Sequence, residues 1–143
     1  MTVTTILAAK GSNVESIEPT ATLENAIERL TEKKIGALVV RGPGGRLAGI
    51  ISERDIVRAL AARGAAVLKE QVGQSMTREV VTCGVNDEIG SIMERMTRGK
   101  FRHLPVIDKN ELAGVISIGD VVKDRLSMME QETEAMRDYI RSA

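Results

Sequence analysis

Apolar positions along the chain keep two rhythms, one helical and one extended, and the succession of rhythms occurs twice. Leu23, Ala26, Ile27 and Leu30 fall at i, i+3, i+4 and i+7, one face of an amphipathic helix with Thr22 placed as its N-cap. Residues 35–40 form an apolar run, β-branched at its end, that reads as a strand buried on both faces. Arg41-Gly42-Pro43-Gly44-Gly45-Arg46 is a turn, and residues 47–52 return as the second strand of a hairpin. A helix over 52–63 follows, with Ile56, Val57, Leu60 and Ala61 inward and Gly64 as a left-handed stop. Upstream, residues 2–5 predict a short strand leading into 6–10, and 14–17 another extended piece before Pro19.

The same statement is then repeated. Leu23, Ala26, Ile27, Glu28, Arg29, Leu30, Thr31 and Lys34 correspond to Ile89, Ile92, Met93, Glu94, Arg95, Met96, Thr97 and Lys100, a constant offset of 66. Gly49-Ile50-Ile51-Ser52-Glu53-Arg54-Asp55 returns as Gly114-Val115-Ile116-Ser117-Ile118-Gly119-Asp120 at an offset of 65, so one residue is lost in the intervening turn. Leu68, Val72 and Met76 are spaced for a helical connector, 80–83 for a strand, 102–107 and 112–116 for a hairpin, and Asp120 onward for a last helix. Each copy reads β-α-β-β-α, and two such copies are expected to share a core.

Composition narrows the function. Twenty basic residues balance twenty acidic ones, so the electrostatic footprint of a dedicated nucleic-acid binder is missing. Phe101 and Tyr139 are the only aromatics, which removes stacking platforms for single strands as well. One cysteine, Cys83, leaves no intrachain disulfide. The run Ile6-Leu7-Ala8-Ala9 is too short for a signal peptide, and no stretch approaches the ~20 apolar residues of a membrane helix, so a cytoplasmic location is expected. With a single histidine, His103, a histidine-based metal site has no support, and no metal is expected.

The repeated Ser-x-x-Asp has two readings. As a capping-box variant it merely starts a helix. The same strand-to-helix junction is also where backbone N–H groups and the helix dipole favour a phosphate, while the aspartate offers two acceptor oxygens to the paired hydroxyls of a ribose. Gly42-Pro43-Gly44-Gly45-Arg46-Leu47 leads into a strand and lacks a third glycine, so a Rossmann fingerprint is rejected, and no Walker A pattern occurs.

Taken together, Lys34-Ile35-Gly36-Ala37-Leu38-Val39-Val40 with Leu47–Ser52 and Asp55, and Phe101-Arg102-His103-Leu104-Pro105-Val106-Ile107 with Leu112 through Asp120, resemble a tandem pair of cystathionine β-synthase (CBS) domains, or Bateman module. The resemblance spans roughly residues 14–126. It implies a mixed α/β (α+β) fold of two β-α-β-β-α repeats packed with pseudo-two-fold symmetry, divided as 1–67, 68–126 and a C-terminal helical extension over 127–143. It further implies a regulatory, non-catalytic module that binds AMP, ADP, ATP, NAD(H) or S-adenosylmethionine in clefts between the repeats. Ser52, Asp55, Ser117 and Asp120 match the family's hydroxyl and ribose-binding positions. Ile17, Pro19, Thr20, Ala21, Gly36 and Ala37 are then expected beside one base, and Val81, Thr82, Cys83, Arg102, His103 and Pro105 near the other. Arg54 and Arg102 sit where they can neutralise phosphate or stay solvated, and His103 is either a phosphate contact or a packed residue. Cys83 reads as a small filler rather than a redox thiol.

The last helix outruns its counterpart. Val122, Leu126, Met129, Thr133, Met136 and Ile140 advance by alternating four and three residues, a seam of 3.5-residue period. It either docks on its own module or pairs with a second chain, the homodimer being the sharper expectation. Two rivals to a nucleotide sensor stand: a ligand-free interaction scaffold, and an enzyme acting on a nucleotide.

Overall fold

A computed structural model describes residues 2–11 and 13–142. Its elements, in order, are α1 (Val3–Lys10), β1 (Ser16–Ile17), α2 (Leu23–Lys33), β2 (Ala37–Arg41), β3 (Leu47–Ser52), α3 (Glu53–Arg63), α4 (Val72–Ser75), β4 (Cys83–Gly84), α5 (Ile89–Gly99), β5 (His103–Asp108), β6 (Glu111–Ser117) and α6 (Ile118–Ser142). Short 3₁₀ turns occupy Pro43–Gly45 and Ala65–Lys69. The result is a mixed α+β chain with two three-stranded sheets, β1-β2-β3 and β4-β5-β6, each with one parallel and one antiparallel pairing.

The chain divides into two compact units, Asn13–Thr82 and the combination of Met1–Ser12 with Cys83–Ala143. This differs from the contiguous division at 67/68. The stretch after α3 stays with the first repeat, and α1, ahead of the first repeat, folds onto the second. Backbone hydrogen bonding explains both. Leu23 N–H donates to Glu70 O at 3.0 Å and Val72 N–H to Ala21 O at 2.7 Å, tying 70–72 to the start of α2. Likewise Val3 N–H donates to Asp87 O and Thr4 N–H to Val85 O, both at 3.0 Å.

In the first unit, Leu23, Ala26 and Leu30 of α2 and Ile56 and Ala59 of α3 close over Leu38, Val40 and Ile51 of the sheet. Thr22 caps α2 as expected, accepting from Asn25 N–H at 3.1 Å. The second unit repeats the arrangement with Ile89, Ile92 and Met96 of α5 and Val121 of α6 over Leu104, Val106 and Ile116, and adds Val3 and Ile6 from α1. Both α2 and α5 end on a left-handed lysine, Lys34 and Lys100, each with φ of 55°.

Four local expectations change. Residues 3–10 are a helix, because Val3 and Ile6 bury one face against the second unit's core and that packing outweighs the β-branched start. The inward face of α3 is Ile56, Ala59 and half-buried Leu60; Val57 is 63% exposed and Ala61 is exposed. The connector over 65–76 is not one helix: Glu70 and Gln71 are extended, since they pair with the chain before α2, and Val67 and Val72 provide its buried anchors. Gly64 stops α3 with φ 76° but ψ −170°, outside the left-handed helical basin.

The glycine shared by the two motifs has a steric cause in each unit. A Cβ on Gly49 would lie 2.5 Å from Thr77 O, because residue 77 bridges Ile50 in both directions. On Gly114 it would lie 2.7 Å from Leu7 Cδ2 of α1.

Candidate functional site

Each unit presents a strand-to-helix junction built from the same parts. In the first, β2 and β3 place Ala37 opposite Ser52, and Glu53 N–H donates to Gly36 O at 3.0 Å. In the second, His103 lies opposite Ser117, and Ile118 N–H donates to Arg102 O at 2.8 Å. Gly36, Ala37, Ser52, Arg54 and Asp55 are thereby gathered at one end of the first sheet, and Arg102, His103, Ser117 and Asp120 at the matching end of the second.

Ser52 and Asp55 form a reciprocal capping box. Ser52 N–H donates to Asp55 Oδ2 at 2.9 Å, and Asp55 N–H donates back to Ser52 Oγ at 3.3 Å. Ser117 and Asp120 repeat this at 2.9 and 3.1 Å. The structural reading of Ser-x-x-Asp is therefore realised in both copies. It leaves room for chemistry, since the cap to each aspartate engages only Oδ2, and the N-termini of α3 and α6 still favour an anion.

What distinguishes the junctions is the third partner of each aspartate. Thr77 Oγ1 donates to Asp55 Oδ1 at 3.2 Å, a neutral contact. Lys10, at the C-terminus of α1, donates from Nζ to Asp120 Oδ2 at 2.6 Å and to Val115 O at 2.7 Å. Burial pushes the Asp120 carboxyl up, but the Lys10 ammonium and the Ser117 N–H outweigh it and hold the group below its ordinary value. Lys10 was not among the residues singled out from sequence. Its signal is non-local: it lies 110 positions from its partner.

Several of the expected site residues are not part of the two capping junctions. β1 runs parallel to β2 with Ser16 opposite Val39 and Ile17 opposite Val40, so the chain after Ile17 travels away from the Ala37 end. Pro19 and Ala21 instead accept backbone bonds from Gly73 and Val72, with exposed Thr20 between them, so these three are not gathered with Gly36 and Ala37. Ile17 is 4% exposed and belongs to the first core. Cys83 is 5% exposed in the second core, and Pro105 is buried, so neither side chain lines an open junction. Burial, then the Asp87 carboxylate, push the Cys83 thiol up to about 11, against the opposing effect of Arg95, in keeping with a filler role. Val81 and Thr82 close the first unit, Val81 exposed and Thr82 half-buried.

Arg54 and Arg102 are exposed and His103 is half-buried. A groove of about 580 Å³ between α2 and α3 is lined by Ile27, Leu30, Lys34, Ile35, Glu53 and Val57 among others. Gly36 and Glu53 of the junction line it as well, whereas Ser52 and Asp55 do not, so the groove adjoins the junction without including the capping pair. Among the described residues no cluster of His, Cys, Asp or Glu could hold a metal ion, and no helix is long and apolar enough to cross a membrane.

The CBS-domain family model matches residues 10–62 and 70–127, which together span most of the chain. The chain belongs to the CBS-domain family. Among relatives, it is 32% identical over 147 residues to the CBS domain-containing protein CBSX3, mitochondrial, of Arabidopsis thaliana, covering 97% of this chain and 71% of that one. Among solved structures, it is similar to the CBS-domain containing protein ATU1752 of Agrobacterium tumefaciens, with a TM-score of 0.86, 45% identity, and 87% and 99% of the two chains covered. The CBS domain pair of MJ0100, in complex with methylthioadenosine and S-adenosyl-L-methionine, shares the fold at a TM-score of 0.79 and 22% identity, over 90% of this chain and 98% of that one.

Proposed function

We propose that this CBS-pair protein is a regulatory module that binds adenosine-containing ligands, AMP, ADP, ATP or NAD(H), at the Ser52/Asp55 and Ser117/Asp120 junctions, is not itself an enzyme, and works as a homodimer. The observation that carries this reading is the duplicated junction. In each unit an aspartate held rigidly by its cap lies in the first turn of a helix whose N-terminus favours phosphate, which suits the diol and phosphate of one nucleotide. The adenosine moiety common to both ligands of the MJ0100 pair is consistent with the same class. Aliphatic surroundings, with backbone groups reading the base, fit a chain that carries only Phe101 and Tyr139 as aromatics. A ligand transmits a signal only by binding one conformation or assembly state more tightly than another.

A ligand-free scaffold is the second reading, favoured by one observation: the capping boxes account for Ser52, Asp55, Ser117 and Asp120 without any ligand. Thermal unfolding of ligand-free protein against AMP, ADP, ATP, NAD⁺, NADH and S-adenosylmethionine decides. A ligand present at about 100 times its dissociation constant adds about 2.7 kcal/mol. A selective rise in Tm that Asp55→Asn or Asp120→Asn abolishes, with the fold intact by circular dichroism, supports the sensor. No shift with any of the six ligands selects the scaffold, and turnover of any of them to product refutes the non-enzymatic assignment.

A further inference from the structure

We propose that α6 is one strand of a parallel, in-register, two-stranded coiled coil formed with a second copy of this chain. This deepens the homodimer reading and is independent of the ligand. The helix runs 25 residues, about 37 Å at the usual rise. Its first turn buries Val121 in its own unit's core. Beyond that point the apolar stripe has no cover: Leu126, Met129, Met136 and Ile140 are 56–69% exposed. A solvated helix gains nothing from a four-three stripe sustained over six positions, whereas a coiled coil requires it.

The seam has Leu126, Thr133 and Ile140 at a positions and Val122, Met129 and Met136 at d. β-Branched Thr133 and Ile140 at a suit two strands. Thr133 is the seam's polar member, and its hydroxyl already donates to Met129 O at 2.9 Å, so covering it strands no donor.

Charge beside the seam chooses the orientation. Arg125 and Glu132 occupy g positions, Glu130 and Arg137 occupy e. In a parallel in-register pair each g side chain faces the e side chain five positions on in the other strand. Arg125 then meets the partner's Glu130 and Glu132 meets the partner's Arg137, opposite signs in every such pair. An antiparallel pair that overlaps the whole stripe sets Glu130 against the partner's Glu130, Glu132 against the partner's Glu132, and Lys123 against the partner's Arg137, like charges in every pair but Arg125 with the partner's neutral Tyr139. Rim charge and complete seam coverage agree only on the parallel arrangement.

Sedimentation equilibrium of the full chain, with helicity followed by circular dichroism, tests this. The wild type is expected to dimerise at micromolar concentration and Met129→Glu/Met136→Glu to be a folded monomer. Glu130→Lys turns two attractive rim pairs repulsive and should weaken the dimer about tenfold, with Arg125→Glu/Glu130→Lys restoring it. Mild oxidation of Ile140→Cys should give a disulfide-linked dimer, because only the parallel register brings position 140 opposite itself. A wild-type monomer overturns both the homodimer and the coiled coil. A dimer that survives Met129→Glu/Met136→Glu overturns the coiled coil alone, and a dimer that Ile140→Cys does not cross-link overturns the parallel register.

Discussion

Replacing Lys10 by methionine keeps the aliphatic stem of the side chain and removes only the ammonium from Asp120. Two contacts are lost, Nζ to Asp120 Oδ2 at 2.6 Å and Nζ to Val115 O at 2.7 Å. The side chains of Lys10 and Asp120 are 38% and 23% exposed, so the pair lies between a surface ion pair worth at most about 1 kcal/mol and a buried one. About 1 kcal/mol is therefore the expected loss at neutral pH, or about 3 °C in Tm for a chain of this length. The loss has a definite pH dependence. Because the folded-state carboxyl is depressed below its ordinary value of 3.8, the stability it contributes is present above that value and fades as pH falls through the folded one. Lys10→Met should thus trail the wild type at pH 7 and approach it in acid, as Asp120 becomes protonated in both proteins. Urea unfolding at a series of pH values reads the gap directly. A gap that is absent at neutral pH, or that stays constant as Asp120 titrates, would refute the assignment of Lys10 as the group that holds this carboxylate ionised.

The motif glycines should differ in cost. Gly49→Ala drives a Cβ to 2.5 Å from a backbone carbonyl and should destabilise by roughly 2 kcal/mol or more, whereas Gly114→Ala meets the movable end of Leu7 and should cost less, both read from denaturant midpoints. Cys83, buried and with its thiol pushed up to about 11, should resist thiol reagents at neutral pH and label only as fast as the protein opens; rapid stoichiometric labelling of native protein would contradict its placement.

What could be read from the sequence is what depends on neighbours in the chain. The faces of α2 and α5, the hairpins and the caps at Thr22 and Ser52 all follow from local periodicity and capping chemistry, and all are present. The misreadings share a different cause. Residues 3–10 are helical because they bury Val3 and Ile6 against residues eighty and more positions away. Val57 faces outward although Ile56 and Leu60 suggested a broader inward stripe; the side chain that completes the buried face is Ala59, three positions after Ile56, whereas Ala61 is exposed. The family resemblance alone places Pro19, Thr20 and Ala21 beside a base; the parallel register of β1 and β2 directs the chain after Ile17 away from the Ala37 end, a non-local pairing that no local pattern encodes.

The same distinction bears on how the two junctions differ in behaviour. Their capping boxes match in residue type and within a few tenths of an ångström, so the repeated residues alone would make two equivalent sites. The difference enters through the unrepeated flanks. After α3, the chain supplies Asp55 with the Thr77 hydroxyl, while α1 supplies Asp120 with the Lys10 ammonium. A diol approaching Asp55 competes with a weak neutral donor. One approaching Asp120 meets a carboxylate whose Oδ2 is already neutralised, beside a cation able to turn toward a phosphate. If the junctions bind nucleotide as proposed, their affinities should differ, and Lys10→Met should change binding at Asp120 while leaving binding at Asp55 unchanged, which calorimetric titration of the two proteins with the same nucleotide resolves; an unchanged Asp120 site would refute a role for Lys10 there.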